Sequence, residues 1–157
     1  ELEACFRLVE TTSSADYKAS SVGWHPVDKH QEMKEKDMRY ILVRDQTPTV
    51  PILGFLSFML SHDDPPFEYR PVLYIYEIHL DESVRGFGLG SQLLDIAEFI
   101  AKHGGFSKTM LTVFTSNDRA ISLYQRRGYS KDQCSPADKK IRSRFIPADY
   151  QIMSKSI

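Results

Sequence analysis

One stretch, "YIYEIHLDESVRGFGLGSQLLDIAEFIAK", brings together a carboxylate inside an apolar run, three glycines at alternate positions, and the start of a helix. Glu77 lies among Val72, Leu73, Ile75 and Ile78, in a segment that reads as a strand over residues 72–80. Strict alternation puts Glu77 on one face with Leu73, Ile75 and His79, opposite Val72, Tyr74, Tyr76, Ile78 and Leu80. Burial on an apolar face favours the neutral carboxyl and raises its pKa towards neutrality, which suits a general base. A glutamate paired with an arginine would give the same pattern. His79 is an alternative base, although a histidine beside a turn is more often structural.

The glycines of "RGFGLG" raise the second question. A P-loop needs GxxxxGK followed by Ser or Thr, and no lysine follows here. The dinucleotide fingerprint GxGxxG needs glycine where Ser91 stands, and an acidic residue where Thr115 and Ser116 stand. What survives is the physics common to both: glycines admit a phosphate to backbone N–H groups, and the following helix adds its positive end. Glycines that merely permit a tight turn are the plainer reading, and Arg85 just ahead of them favours the cradle. Further on, "NDRAISLYQRRGY" opens a helix at Asn117, packs it through Ala120 and Leu123, and projects Tyr124 from the same face. Spacing alone makes Tyr124 an ordinary core tyrosine.

The elements that must position these residues follow from pattern. The chain has 157 residues, 41% hydrophobic and 26% charged, which suits one globular domain. Its net charge of −1 disfavours a nucleic-acid partner. Cys5 and Cys134 are too few for a disulfide framework, which points to a reducing compartment, and no metal-ligand spacing stands out. The longest apolar stretch, residues 52–60, is too short to span a bilayer, and the chain begins at Glu1 with no leader pattern inside it. Residues 1–39 read as an N-terminal helical extension, with a solvated helix over residues 28–38 that starts near His25 and Pro26. Strands are expected at residues 39–45 and 52–62, joined by a turn at 46–51 into a hairpin, and residues 63–71 read as a loop. A helix ending at Gly104, a strand at 108–114, a helix from Asn117 to Gly128, and a closing strand at 148–157 complete the order. A further strand at residues 129–134 and a loop at 135–146 lie between. The expectation is a single α/β domain, residues 1–157, with a mixed central sheet flanked by helices.

Arg85-Gly86-Phe87-Gly88-Leu89-Gly90 resembles the Gln/Arg-x-x-Gly-x-Gly/Ala acyl-CoA pyrophosphate loop of the GNAT-type N-acetyltransferases. Asn117, Ala120, Leu123, Tyr124, Gly128 and Tyr129 resemble their second motif, NxxAxxLYxxxG followed by Phe or Tyr. Two motifs in order, one helix and one strand apart, are specific, and the resemblance covers residues 40–157. The resemblance implies acetyl-CoA as cosubstrate, without a metal, held by residues 85–90 with Ser91 and Asn117. It also implies a backbone N–H near His79 or Leu80 supporting the thioester carbonyl, and Tyr124 protonating or hydrogen-bonding the sulfur.

A narrower resemblance is carried by "VGWH…EM", "LYIYEIHL", "MLTVF" and "DYQIMSK". These blocks, in patches over residues 5–155, are similar to the histone N-terminal acetyltransferase family NatD, with variable loops at 61–71 and 137–146. This implies transfer of acetyl to the Ser-Gly-Arg-Gly termini of histone four and histone two-A, by a monomer in nucleus and cytoplasm that contacts neither nucleic acid nor membrane. Glu77 matches that family's proposed base. An α-amine has a reference pKa of about 8, so it must lose a proton before attack. For the peptide, Tyr17, Trp24, Tyr76 and Tyr150 are the candidate walls and hydroxyl donors. Asp63 and Asp64 are candidate partners of the arginine, with simple turn chemistry before Pro65 an equal reading, and Cys134 aligns with a substrate loop. A GNAT enzyme for a small amine or a lysine side chain, and a non-catalytic acyl-CoA-binding module, are the alternatives.

Overall fold

Leu2, Cys5, Leu8 and Val9 recur at helical spacing and form the buried side of α1 (Leu2–Ala19). This is a computed structural model, and it describes residues 1–45, 51–141 and 144–157. Pro26 at the first helical turn starts α2 (Pro26–Glu32). The solvated helix expected over residues 28–38 is therefore corrected at both ends. It begins two residues earlier and stops at Glu32, and its Lys29 side chain turns inward and is only 11% exposed. Met33 and Met38, just beyond it, are buried as well.

Next come β1 (Arg39–Val43), β2 (Gly54–His62) and β3 (Pro71–Leu80), paired antiparallel in sequence. The hairpin expectation holds, while its turn at 46–51 falls mainly on residues 46–50, outside the described residues. A short 3-10 turn, Glu82–Val84, leads to α3 (Leu89–His103), then β4 (Lys108–Phe114) and α4 (Asp118–Arg126). The chain ends in β5 (Ser130–Lys131), β6 (Lys139–Ile141), β7 (Arg144–Ile146) and β8 (Tyr150–Ser156). The loop expected at residues 135–146 instead contains β6 and β7, which pair antiparallel as a small separate sheet.

The main sheet runs β1-β2-β3-β4-β8-β5, with only β3 and β4 parallel. This is the expected mixed α/β architecture. Consecutive residues of β2 divide the core: Leu56 packs with α3 and α4, Phe55 with α1 and Met33. The first cluster joins Leu73, Ile75 and Leu111 to Leu93, Leu94 and Ala97, and the second joins Phe55 to Cys5, Leu8 and Val9. Helices thus cover both faces, and α1 belongs to the core of one of them.

Candidate active site

Two irregularities in the sheet make the site. Along β2 and β3, Ser57 opposes Glu77 but Phe58 opposes Ile75, so Tyr76 has no partner and β3 carries a bulge there. The extra residue shifts the alternation by one. Leu73 and Ile75 face α3 and α4, while Glu77 and His79 face α1 and α2. The sequence reading that put Glu77 and His79 on the face of Leu73 and Ile75 is corrected by this bulge. The second irregularity is a splay: β3 pairs with β4 only from Val72 to Ile75, against Lys108 to Leu111, although both strands continue. Beyond Ile75 the sheet opens, and a cavity lies at each side of the opening.

The larger cavity, about 680 Å³, brings together the candidates His79, Leu80, Arg85, Gly86, Gly88, Leu89, Gly90, Ser91, Asn117 and Tyr124 in its lining. Thr12, Asp16, Arg119 and Arg126 also line it. Gly88 is the N-cap of α3 at φ +82°, with no side-chain cap, so the helix's first N–H groups are available to an anion. A Cβ at Gly86 or Gly88 would meet nothing within 4 Å, so these glycines border open space that a phosphate can enter. Arg85 Nε donates to the Leu80 carbonyl at 2.9 Å, which fixes its guanidinium beside the turn. The turn, the helix end and the three arginines fit a pyrophosphate-bearing ligand. Phe87 does not line the cavity and points outward, 75% exposed. Asn117 accepts from Ala120 N–H at 3.0 Å, so its side chain caps α4 while the residue borders the cavity. Tyr124 is buried, and burial with the nearby Glu77 charge pushes its phenol up, so it stays protonated at neutral pH.

The smaller cavity, about 330 Å³, is lined by Tyr17, Trp24 and Tyr150, three of the predicted peptide contacts. Lys29, Asp28, Glu32, Thr112 and Phe114 complete its polar and aromatic walls. Between the two cavities stands Glu77, 8% exposed. Its Oε1 accepts from Tyr17 Oη at 3.1 Å and Lys29 Nζ at 2.9 Å, and its Oε2 meets His79 Nε2 at 2.6 Å. Burial pushes the Glu77 carboxyl up, but His79 and Lys29 outweigh burial and hold it at about 2, below its ordinary 4.5. The raised pKa expected from burial is thereby corrected. A buried carboxylate beside the Lys29 ammonium and bonded to the His79 ring is kept ionised.

Tyr76 borders the site without lining the smaller cavity: it is 39% exposed and packs on the Tyr74 ring. Asp63, Asp64 and Cys134 form a separate group. Asp63 is buried and ion-paired with Lys108 at 2.9 Å, which also binds Asp132 at 2.7 Å. Asp63 therefore ties β2 to β4, which corrects its expected role as an open partner for a peptide arginine. Asp64 is exposed, and burial with the Asp132 and Asp64 carboxylates pushes the neighbouring Cys134 thiol up to about 12. That thiol is not a nucleophile at neutral pH. Sequence reasoning missed Lys29, Thr12, Arg119, Arg126 and Glu32. Only the helical spacing of Leu2, Cys5 and Val9 offered a signal, because continuing it places Thr12 on the inward side of α1.

A model of the acetyltransferase (GNAT) family matches residues 5–129, and the chain belongs to that family. N-alpha-acetyltransferase 40 of Saccharomyces cerevisiae is 32% identical over 87% of this chain. N-alpha-acetyltransferase RimI of Mycobacterium tuberculosis is 28% identical over 69% of it. The chain spans 54% and 62% of the length of these two relatives. Among solved structures, smu.2055 of Streptococcus mutans superposes with a TM-score of 0.71 at 18% identity, over 99% of this chain and 92% of that one. PaiA N-acetyltransferase of Thermoplasma acidophilum, in complex with coenzyme A, gives 0.68 at 16% identity, over 99% and 92%. These structures share the fold.

Proposed function

We propose that the chain is an acetyl-CoA-dependent N-alpha-acetyltransferase, and that its substrates are the Ser-Gly-Arg-Gly termini of histone four and histone two-A. One observation carries the reading: Glu77 stands where the sheet splays, touching Tyr17 and Lys29 of the smaller cavity and His79 of the larger one. The larger cavity is the cosubstrate side, where bound acetyl-CoA supplies an activated acetyl group. Gly86, Gly88 and the α3 N-terminus receive its phosphates, and Tyr124 presents a protonated hydroxyl to the leaving sulfur. The smaller cavity admits an amine between aromatic walls. Glu77 binds the ammonium and takes its proton. The N-alpha-acetyltransferase names of the yeast and mycobacterial relatives support an N-terminal amine as acceptor. The histone choice, and action in nucleus and cytoplasm, rest on the NatD-like blocks.

The peptide arginine is assigned to Asp64, because Asp63 is committed to Lys108. Mass spectrometry of a Ser-Gly-Arg-Gly peptide incubated with the protein and acetyl-CoA tests the reading. One acetyl group on the free peptide and none on an N-terminally blocked copy is the expected result. Acetylation of an internal lysine in a blocked peptide would transfer the activity to side-chain amines.

A further inference from the structure

Lys29 brings a second ammonium to the place where the acceptor must lose a proton of its own. Its side chain lines the smaller cavity, 11% exposed, and its Nζ donates to Glu32 Oε1 at 2.7 Å and to Glu77 Oε1 at 2.9 Å. The same Nζ stands 5.1 Å from the centre of the Tyr17 ring. Burial pushes the Lys29 ammonium down, but the Glu77 and Glu32 carboxylates outweigh burial and hold it well above its ordinary 10.5. Lys29 therefore keeps its charge wherever an α-amine can react.

A buried carboxylate alone with an ammonium works against acyl transfer, because the ion pair favours the charged, unreactive form. Lys29 alters that balance. An ionised carboxylate offers about four lone-pair sites, and Tyr17, Lys29 and His79 meet three of those on Glu77. An amine that takes the remaining one shares Glu77 with Lys29, and two nitrogens bonded to one carboxylate stand about 4–6 Å apart. At an effective dielectric constant of about 20, a like charge at that distance raises the neutral fraction of the weaker base on the order of a hundredfold. An α-amine, of reference pKa about 8, is the weaker base beside Lys29. A lysine side chain, at about 10.4, is as basic as Lys29 itself, and Glu32 is already taken.

We propose that the Lys29 ammonium drives the proton off the amine that enters the smaller cavity, and so confines transfer to weakly basic acceptors, the class to which peptide N-termini belong. The inference rests on the N-acetyltransferase reading and deepens it, because it separates α-amines from lysine side chains by their basicity. Clamping α2 to β3 is the plainer role of the same ion pairs, and it leaves the acceptor's proton untouched. Tyr17 of α1, Glu32 of α2, and Glu77 and Tyr76 of β3 face the Lys29 ammonium. Asp28, His25 and Tyr150 line the cavity with it, and Tyr40 of β1 lies within its field. One ammonium proton passes over Glu77 to solvent, and Lys29 keeps all of its own. The freed lone pair forms the C–N bond as the C–S bond breaks with its electrons on sulfur, and the second amine proton goes to that sulfur.

Nitrogen NMR of a Ser-Gly-Arg-Gly peptide, isotopically labelled at its α-amine and bound to the protein with coenzyme A, tests the proposal. The bound amine should titrate at least about one pH unit below the free peptide. In Lys29→Met, of similar length and without charge, it should titrate at or above the free value, and Lys29→Arg should restore the lowered one. A wild-type value at or above that of the free peptide would overturn the proposal, as would a folded Lys29→Met in which the value stays lowered. In initial rates, Lys29→Met should reduce kcat/KM for this peptide by about ten- to a hundredfold at pH 7, and the loss should shrink above about pH 9. A loss equal at every pH is what a purely structural lysine gives, and it would also overturn the proposal. If Lys29→Met does not fold, the wild-type titration still decides. A lowered amine on a protein that acetylates no peptide would defeat the functional reading, and a peptide that does not bind would defeat that reading and Lys29's part together. An active protein whose bound amine keeps its free value would defeat Lys29's part alone.

Discussion

Glu77 shows how far a single side chain is governed by its neighbours. The same carboxylate that burial would neutralise is kept ionised by Lys29 and His79, and the sign of the balance sets its behaviour with pH. Because the folded value is depressed from 4.5 to about 2, the stability Glu77 contributes is complete above 4.5 and is lost as pH falls towards 2. Urea unfolding across that window should therefore weaken wild type more steeply than Glu77→Gln, and parallel curves would show that the ion pairs do not stabilise the fold. At neutral pH, Glu77→Gln should reduce turnover by about two to four decades with coenzyme A affinity retained, as measured by initial rates and calorimetry. Asp63 and Asp64 divide in the same manner. Asp63→Asn breaks a buried pair with Lys108 and should cost about 3–5 kcal/mol in chemical denaturation. Asp64→Asn should leave stability nearly unchanged. With peptide arginine replaced by alanine in a double-mutant cycle, it should show coupling of about 1.5–3 kcal/mol. Equal losses in Asp64→Asn and wild type would send the arginine to another carboxylate, with Glu32 next.

Elements place these groups where no side chain could place itself. The start of α3 gathers unpaired N–H groups at Gly88, whose φ of +82° a β-branched residue resists. Gly88→Val should weaken coenzyme A binding by at least about tenfold while the circular dichroism spectrum stays native. Unchanged affinity would move the pyrophosphate off this turn. The bulge at Tyr76 is the other decisive element, since without the extra residue Glu77 would point at α3. Asn117 caps α4 with its side chain, and Asn117→Ala should lower stability by about 1 kcal/mol in the same denaturation assay.

At the scale of the molecule, the candidate active site depends on both cores at once. Leu73 and Ile75 anchor β3 to α3, while Phe55 anchors β2 to α1 and also supports the His79 ring. Thr12, Tyr17 and Lys29 reach Glu77 and His79 only because α1 and α2 are packed on that face. Phe55→Ala should cost about 3–5 kcal/mol and lower turnover beyond what the lost folded fraction explains. Normal specific activity per folded molecule would uncouple the α1-side core from Glu77 and His79.

The glycine turn, the α4 cap and the order of helices and strands are legible in the sequence because each is a local pattern: a φ constraint, a cap, an apolar period. The candidate cofactor-side residues from Arg85 to Ser91 are contiguous, and one turn brings all of them but Phe87 to the larger cavity. The bulge was not, because an unpaired Tyr76 is a property of two strands in register and leaves no mark in β3 alone. The charge partners of Glu77 were hidden too. Lys29 lies 48 residues away and Tyr17 lies 60, and residue types do not say which distant cation will reach a buried carboxylate. Asp63 and Asp64 are adjacent and look alike in sequence, yet packing gives one to Lys108 and leaves the other exposed. Sequence by itself determined the glycine turn ahead of a helix and the presence of a carboxylate, Glu77, in the strand that leads to it. Tertiary structure decided which face that carboxylate takes and what ionises it, because both depend on contacts between segments far apart in the chain.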